Sequence, residues 1–515
     1  MGQRRVWAGR PARPFNLISS LLLLILFWAT PAAAEWRRAE SPNFIVYGNL
    51  SESDLRQRIL RLEDFDHLLR VMIAVTDPPS PNKLHVYFVQ NGRDLRTVQQ
   101  VPPGIAGFYT ATPDGIAAFI DNSAESAGNE ILFHEYAHHF MMQYRPNAYP
   151  GWYVEGFAEY FMTASFVGRR IDIGTYSPGR AYLIMQGQWL PMDQILYGEP
   201  QSFRGDALGQ FYAQAWLTTH YFYSTPERQA ALGRYLVALR GDNPRSALQA
   251  ATGMDVAALT AELHRYIGHG SIDYRRMTRP EGETPPPVTI ASLPRAADDL
   301  IVYEAALRVG IADAQGPDYL ARIRALAARH PGDPFAERVL AHAELLYGDA
   351  AAADRLLDHL LAGAPNDAEL LYLKGMRYLV AAEKGDQWDA DARTARTWFG
   401  RAHQADGNHY QTLFRYAQSL RRDPSYASEN NLNVLLLAHQ LAPQVAAITM
   451  NAAALMIGRG SGDERLAISL LRPLAADPHN TGLAHAAREM IERAEARAAH
   501  PPPAGTPPPA PQRSN

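Results

Sequence analysis

The sequence ILFHEYAHHFMMQYRPNAYPGWYVEGFAEYF, residues 131–161, places ionisable side chains in two otherwise apolar segments joined by a Pro-containing loop. The first segment carries His134, Glu135 and His138. Burying imidazoles and carboxylates costs free energy unless other groups pair with them. The segment therefore indicates either a metal site or a pair of polar residues accommodated on a core helix.

The spacing of the two histidines suits a metal ion. In a helix, residues i and i+4 lie on the same face, so His134 and His138 would project side by side. Two neutral imidazoles at this spacing can bind one Zn²⁺. Glu135 would point to a neighbouring angle, where it could hold a zinc-bound water and take its proton, because zinc lowers the pKa of that water to about 7.

The second segment offers the carboxylates that such a site would need. A catalytic zinc usually has three protein ligands, and Glu155 follows His138 after a short loop. Glu159 lies one turn further along the same helical face. One carboxylate could ligate the metal while the other accepts a hydrogen bond from a ligand histidine, as metal-bound histidines usually require.

The two motifs, HEYAH and WYVEGFAEY, resemble the gluzincin zinc metallopeptidases, and most closely the helix pair of the aminopeptidases among them, where W-L-N-E-G-F-A is typical. The resemblance covers about residues 40–270. It implies an α+β zincin-like metallopeptidase domain with zinc as its cofactor. The implied roles are zinc ligation by His134, His138 and Glu155, general-base catalysis by Glu135, and support of a ligand histidine by Glu159.

The resemblance also bears on a later helix and on specificity. The stretch YAQAW at 212–216 stands where those enzymes have a tyrosine that stabilises the oxyanion, which would be Tyr212; the alternative is a core tyrosine. No G-A-M-E-N-like strand with its amine-binding glutamate is present, and GIAAF at 115–119, the expected substrate-binding edge strand, has no carboxylate. An endopeptidase is therefore expected rather than an aminopeptidase.

Other conspicuous side chains of this region are expected to be structural. His139 would point about 100° away from His138 around the helix, and His220 lies on a later helix. Large aromatic side chains are more often core residues than cofactor contacts. That expectation applies to Trp152, Tyr153, Phe157, Tyr160 and Phe161.

The first 34 residues have the pattern of a signal peptide. A leader with four arginines precedes an apolar run at 17–29, and an A-x-A cleavage motif ends at Ala34. An uncleaved anchor is the alternative, but the run is shorter than the roughly 20 residues of a spanning helix. Export is expected, to the periplasm or, alternatively, outside the cell. The sequence contains no cysteine, so a metal site would use nitrogen and oxygen ligands.

The spacing of apolar residues and the positions of Pro-rich and turn sequences divide the mature chain into four segments. They are an α+β part at 35–275, a Pro-rich linker at 276–298, an all-α part at 299–496 and a disordered Pro-rich tail at 497–515. The α+β part begins as strand, helix, strand, hairpin, helix, loop and helix. The predicted strands are 43–49 and 83–90 with a hairpin at 107–121, and the predicted helices are 52–75, 126–143, 152–166 and 211–224.

The all-α part shows a repeating period. Pro331 and Pro365 are 34 residues apart, Pro443 and Pro478 are 35 apart, and each follows a helical pattern. Small and apolar residues recur between them, at Ala341, Gly348, Ala353 and Leu357 and then at Gly375, Tyr378, Ala395, Phe399 and Ala402. The pattern resembles tetratricopeptide repeats, although Glu337 and Glu344 replace the usual aromatic residues. A generic helical bundle is the alternative.

Two functions fit these observations. The first is an exported zinc-dependent endopeptidase whose repeats recruit protein or peptide substrates, or a protein partner. The second is a non-enzymatic, repeat-based binding or scaffold protein with a structural or degenerate zinc domain; zinc-dependent hydrolysis of a non-peptide bond is a further class. The formal net charge of -4, without basic clusters, argues against nucleic-acid binding. No membrane span is expected in the mature chain.

Overall fold

A computed structural model describes residues 35–102, 105–123, 128–239, 243–268, 272–460 and 462–499. The predicted signal peptide at 1–34 lies outside the described residues, and so does the predicted tail except for 497–499, which end the last helix. Among the described residues, no helix is long and apolar enough to cross a membrane.

The N-terminal part combines two small sheets with helices. Its strands are β1 (Arg37–Glu40), β2 (Phe44–Gly48), β3 (Leu84–Val89), β4 (Gly107–Ala111), β5 (Ile116–Asp121), β6 (Ser165–Val167), β7 (Arg170–Ile173), β8 (Arg275–Thr278) and β9 (Thr289–Ser292). Its helices are α1 (Glu52–Met72), α2 (Gly92–Val98), α3 (Gly128–Tyr144), α4 (Gly151–Phe161), α5 (Pro178–Gln186), α6 (Met192–Tyr197), α7 (Gly205–Tyr223), α8 (Pro226–Ala238), α9 (Pro244–Thr252) and α10 (Val256–Ile267).

The C-terminal part is helical, as predicted. Its helices are α11 (Ala296–Val309), α12 (Gly316–Ala327), α13 (Pro334–Tyr347), α14 (Ala350–Gly363), α15 (Ala368–Lys384), α16 (Trp388–Ala405), α17 (Tyr410–Ser419), α18 (Glu429–Leu441), α19 (Ala446–Arg459), α20 (Glu464–Ala475) and α21 (Thr481–Ala499). Short 3-10 turns lie at Pro200–Ser202, Asp313–Gln315 and Pro424–Ala427.

The larger sheet has six strands in the order β4-β5-β3-β2-β1-β9. The pairs β2–β3 and β3–β5 are parallel, whereas the outer pairs are antiparallel. Side chains of alternate β3 residues enter different cores: Val86 and Phe88 pack with α1 and α3, whereas Tyr87 and Val89 pack with α2 and α11. The strand is therefore continuously apolar because both of its faces are covered.

The edge strand of this sheet differs from the sequence prediction. The GIAAF segment belongs to β5, which lies inside the sheet between β4 and β3, and β4 forms the edge. The hairpin turn, closed by a hydrogen bond from Thr112 N to Gly115 O of 2.9 Å, places β4 outside β5. Residues 116–120 are all buried, as expected for an internal strand, whereas 107–111 are half-buried.

The Pro-rich segment predicted to be a linker, 276–298, contributes to both sheets. It contains most of β8, which pairs with β7, and all of β9, which pairs with β1 as the second edge of the larger sheet. The β-branched residues Val288, Thr289 and Ile290 suit a strand despite the neighbouring prolines. The segment joins the two parts of the chain and is also part of the fold of the first.

The helices that carry the ionisable residues of the quoted stretch lie at the predicted positions. The second ends earlier than predicted, at Phe161, because 165–167 form β6 and Gly168, with φ of 59°, allows the tight turn into β7. Helix α3 is fixed against α1 by a hydrogen bond from Tyr136 Oη to Asp66 Oδ1 of 2.7 Å. The five aromatic residues predicted as core, Trp152, Tyr153, Phe157, Tyr160 and Phe161, are buried.

The C-terminal helices pack in sequence, each against its neighbours, as a helical-repeat region requires. The predicted small positions lie where helices approach closely: a Cβ on Gly375 would lie 2.5 Å from Phe399 Cε1. Each of the four prolines that set the period lies in the loop between two helices. The first helix of this part, α11, belongs to the core that covers the larger sheet, so the two parts share a core.

Helices α4 and α7 come into close contact at Gly156. A Cβ there would lie 2.4 Å from Ala215 O and 2.2 Å from Thr219 Oγ1. Because the backbone oxygen cannot move freely, Gly156→Ala should destabilise the protein by about 1–3 kcal/mol. The control, Gly233→Ala, adds a methyl group on an exposed helical surface with nothing within 4 Å; it should stabilise the protein by about 0.5–1 kcal/mol. Equal effects on urea-induced unfolding would contradict this account.

Candidate metal centre

The structure brings His134 and His138 of α3 together with Glu155 of α4. The two Nε2 atoms are 3.1 Å apart. Glu155 Oε2 lies 3.5 Å from His134 Nε2 and 3.6 Å from His138 Nε2. Three potential ligand atoms from two helices thus form a nearly equilateral triangle, and this group could hold a metal ion.

The dimensions of the triangle fit tetrahedral coordination. Nitrogen and oxygen ligands lie about 2.0–2.1 Å from Zn²⁺, so at tetrahedral angles they are roughly 3.3 Å from one another. The three distances in this protein, 3.1 to 3.6 Å, bracket that value. Little movement of the side chains would be needed to bind an ion of this size.

The hydrogen bonding of the cluster also fits a cation. Glu155 is 1% exposed, and neither carboxylate oxygen has a hydrogen-bond partner among the described residues. Buried polar groups are nearly always hydrogen-bonded, and a buried charge is costly unless it is paired or ligates a metal. The cluster therefore has the unsatisfied acceptors that a bound cation would use.

The charges of the cluster favour an ionised carboxylate. Burial by itself raises the pKa of Glu155, but His479, His138 and His134 hold it well below its ordinary value. Burial also lowers the pKa of His134, yet Glu155, Glu159 and Glu135 together raise it to about 9. Burial dominates at His138, whose pKa is lowered. Glu155 thus remains an anion, which is the form that ligates metals.

Glu159 lies behind His134, and Arg180 holds it. Its Oε1 is 3.6 Å from His134 Nδ1, an ion-pair distance that is too long for a hydrogen bond. Arg180 of α5 donates two hydrogen bonds to the carboxylate, from Nε to Oε2 at 2.7 Å and from Nη2 to Oε1 at 2.8 Å. Arg180 cannot be recognised as a site residue from the sequence, because one arginine in a later helix belongs to no motif.

Tyr212 of α7 lies beside the same cluster, as predicted for a site residue. Its ring centroid is 6.3 Å from that of His134, and the Arg180 guanidinium lies 5.0 Å from the Tyr212 ring. Burial, followed by the carboxylates of Glu155 and Glu159, raises the pKa of Tyr212 against the effect of Arg180. The phenol is therefore protonated and can donate a hydrogen bond at neutral pH.

Glu135 has the freedom that a proton-transfer group needs. It is half-buried, and its carboxylate has no hydrogen bond or ion pair with any described residue. Its charge raises the pKa of His134 and of Tyr212, which places it among these groups. The structure therefore brings together all six residues that the sequence analysis selected.

The two histidines expected to be structural are buried. His139 Nδ1 lies 3.1 Å from Tyr109 Oη of β4, and Gln444, from the C-terminal part, lies 3.4 Å from the same ring. His220 contacts Tyr266 Oη at 2.8 Å and Gly174 O at 3.0 Å. Both side chains are held by hydrogen bonds, and neither belongs to the triangle of ligand atoms.

A further residue of the cluster comes from the C-terminal part. His479, in the loop between α20 and α21, has its Nε2 3.2 Å from Glu155 Oε1. The sequence analysis assigned this loop only as the boundary of a repeat, marked by Pro478. The position of His479 depends on how the helices pack, more than 300 residues beyond the two ligand helices.

Comparison with known proteins adds little. No family model matches the chain, and no curated protein matches it. Among solved structures, the chain is similar to a thermophilic TPR protein from Thermus thermophilus, with 15% sequence identity and a TM-score of 0.29, over 35% of this chain and 92% of that chain. At this TM-score the similarity carries no inference.

Metal content tests the triangle of ligand atoms. We expect about one tightly bound metal ion per chain. His134→Ala and Glu155→Gln should each weaken the affinity by more than the roughly 10–100-fold that loss of an outer hydrogen-bond partner costs. Elemental analysis measures the metal content, and metal titration measures the affinity. His67→Ala, which removes an exposed histidine on α1, is the control and should bind metal normally; equal binding by all four proteins would exclude this site.

The buried pair of Glu159 and Arg180 makes a separate prediction. Arg180→Met would remove both hydrogen bonds that the buried Glu159 carboxylate accepts and leave it only the longer contact with His134 Nδ1 at 3.6 Å, which should cost roughly 3 kcal/mol of unfolding free energy. Glu159→Gln combined with Arg180→Met should cost clearly less, since no charge is left without a partner. A double-mutant cycle by urea denaturation measures the coupling, and additive effects would show that the two side chains do not depend on each other.

Proposed function

We propose that this protein is a zinc-dependent peptidase, with endopeptidase activity rather than removal of N-terminal residues. The observation that carries the proposal is the triangle of His134, His138 and Glu155, with spacings of 3.1 to 3.6 Å, beside a free glutamate and a protonated tyrosine. The resemblance of both ligand motifs to gluzincin metallopeptidases supports the same reaction.

Zinc is the metal that this ligand set suits best. Two imidazoles and one carboxylate are a frequent set for catalytic zinc, and three protein ligands leave a position open for reactants. When bound, Zn²⁺ would supply Lewis-acid chemistry, lowering the pKa of a water molecule to about 7 and polarising a carbonyl group. The other catalytic roles fall to side chains of this chain.

Glu135 is the proposed general base. Its carboxylate takes a proton from the attacking water as the water oxygen bonds to the peptide carbonyl carbon. When the carbon–nitrogen bond breaks, the same carboxyl group gives that proton to the leaving amine. The absence of any hydrogen bond or ion pair to the described residues leaves the carboxylate available for both steps.

Tyr212 is the proposed oxyanion donor. Negative charge develops on the carbonyl oxygen when water attacks, and a preorganised hydrogen-bond donor stabilises it. The raised pKa of Tyr212 keeps its proton on the phenol oxygen. The cation–π contact with Arg180, at 5.0 Å, limits the orientations of the ring.

The outer edge of β4, which pairs with no other described strand, is the proposed binding site for the polypeptide backbone. An extended peptide can add to a sheet edge through main-chain hydrogen bonds, and β4 packs beside α3, which carries both histidines. The strand sequence GFYTA has no acidic residue that could bind a free amino terminus. This supports cleavage within a chain.

Export is proposed from the leader-like sequence of residues 1–34. The helical-repeat part would then meet its substrates or partners in the periplasm or outside the cell. Helical repeats commonly offer extended concave surfaces for binding proteins. Here His479 contacts the candidate metal centre, and Gln444 contacts His139 of α3.

Hydrolysis of a quenched fluorescent peptide or of unfolded casein tests this proposal. Glu135→Gln should retain the metal and lose about 10²–10⁴-fold in kcat/KM, since the base is removed but the ligands stay. Tyr212→Phe should lose about 10²–10³-fold. Glu130→Gln, on an exposed position of the same helix, and Tyr182→Phe, on an exposed ring, are matched controls and should keep full activity.

Either of two results would contradict part or all of this proposal. Activity retained in Glu135→Gln would exclude the proposed base. Tight metal binding with no hydrolysis of any peptide, together with binding of an unfolded protein to the repeats, would instead favour the non-enzymatic binding function.

A further inference from the structure

The loop between α20 and α21, residues 476–480, connects the C-terminal part to the candidate metal centre. His479 Nε2 lies 3.2 Å from Glu155 Oε1, and its ring centroid is 4.9 Å from that of His138. Glu155 Oε2 faces the two histidines of α3 instead. The ligand carboxylate therefore lies between two imidazoles of the N-terminal part and one of the C-terminal part.

His479 is on the solvent side of the cluster. Its side chain is 52% exposed, whereas those of His134 and His138 are 15% and 11% exposed and that of Glu155 is 1% exposed. A substrate carbonyl must reach the same cluster from solvent. The imidazole of His479 thus lies between the Glu155 carboxylate and solvent on this side of the cluster.

The loop has a defined conformation. His479 N donates a hydrogen bond to Asp477 Oδ1 at 2.8 Å, and Leu483 N donates one to Asn480 Oδ1 at 3.0 Å. The second bond caps the start of α21, as Asn side chains commonly do. The loop therefore presents His479 to the centre as a preformed turn.

Apart from the contact between His479 and Glu155, the loop is held on the N-terminal part by few contacts. Pro478 packs against Gly151 at the start of α4, and Arg488 Nη2 lies 3.3 Å from Glu199 Oε1. Both members of this ion pair are about half exposed, so the pair contributes at most about 1 kcal/mol. Since α20 and α21 pack mainly on each other and on α19, lifting of the loop would leave most of the packing of these helices in place.

We propose that His479 closes the metal centre in the resting protein, and that substrate enters only when the α20–α21 loop lifts away. This inference rests on the proposed function of the centre and adds its regulation. The C-terminal part then acts on catalysis directly, because displacement of its last helices controls access to Glu155 and to the two histidines of α3.

The first test compares zinc-loaded wild type with His479→Ala. Two readouts do not depend on activity: the rate at which 1,10-phenanthroline removes the metal, and the affinity for acetohydroxamate by calorimetry. Only molecules in which the loop has lifted can bind the chelator or acetohydroxamate. When most molecules are closed, removal of the imidazole should therefore raise both the rate of metal removal and the affinity for acetohydroxamate by roughly tenfold or more. Peptide hydrolysis should rise as well. His485→Ala, an exposed histidine on α21, is the control and should change nothing.

The second test locks the loop in place. A Cβ on Gly151 would lie 3.6 Å from Pro478 Cβ, within the range of about 3.5–4.5 Å for disulfides. Gly151→Cys and Pro478→Cys should therefore form a bridge, and the native sequence has no cysteine to compete. Pro200→Ala is added because the new Cβ would otherwise lie 2.6 Å from Pro200 Cγ.

The locked protein is compared with itself after reduction and methylation of both thiols. The bridged form should lose its metal slowly to the chelator and bind acetohydroxamate at least roughly tenfold more weakly than the reduced, methylated form. The same three substitutions are present in both forms, so the difference reports the position of the loop. Circular dichroism of both forms checks that they are folded.

Each other outcome has a distinct meaning. Equal chelator rates and hydroxamate affinities for wild type and His479→Ala, together with no effect of the bridge, would overturn the closure while leaving the metal centre intact. Loss of zinc from His479→Ala would also overturn it, because His479 would then be an obligatory ligand and not a removable cover. Absence of zinc from every variant would reject the proposed function itself.

Discussion

The buried carboxylate of Glu155 is the constraint on which the rest of this structure depends. Its charge lies almost wholly outside water, and the groups that offset the cost of burial come from two distant segments of the chain. They are the two imidazoles of α3 and the imidazole of His479. Such a carboxylate is tolerated only where opposite charge is brought to it. The packing of α3, α4 and the α20–α21 loop serves that requirement.

The scaffold around Glu155 explains why its neighbours are so closely specified. Gly156 allows α4 to approach α7, and this approach places Tyr212 beside His134. Arg180 neutralises Glu159, which would otherwise be a second buried charge next to the first. Each of these contacts fixes one side chain of the centre by packing or by charge, which is how a protein holds reactive groups in place.

The two parts of the chain are joined more closely than a linker would allow. Helix α11 contributes to the core on one face of the larger sheet, and β9 forms one edge of it. The loop of the last helical pair then returns to the candidate metal centre, where His479 contacts Glu155. The helical part therefore begins on the sheet and ends beside the cluster of His134, His138 and Glu155.

The sequence by itself determined the local features of this protein. Helical geometry explains why the i,i+4 histidines and the two glutamates one turn apart share helix faces. The spacing of the prolines indicated the 34-residue period, and each of these prolines lies in a loop between helices. Tertiary structure alone decided which strand forms the edge, that the Pro-rich segment adds strands to both sheets, and that Arg180 and His479 reach the site. Those outcomes depend on contacts between residues far apart in the chain, and neither periodicity nor spacing encodes them.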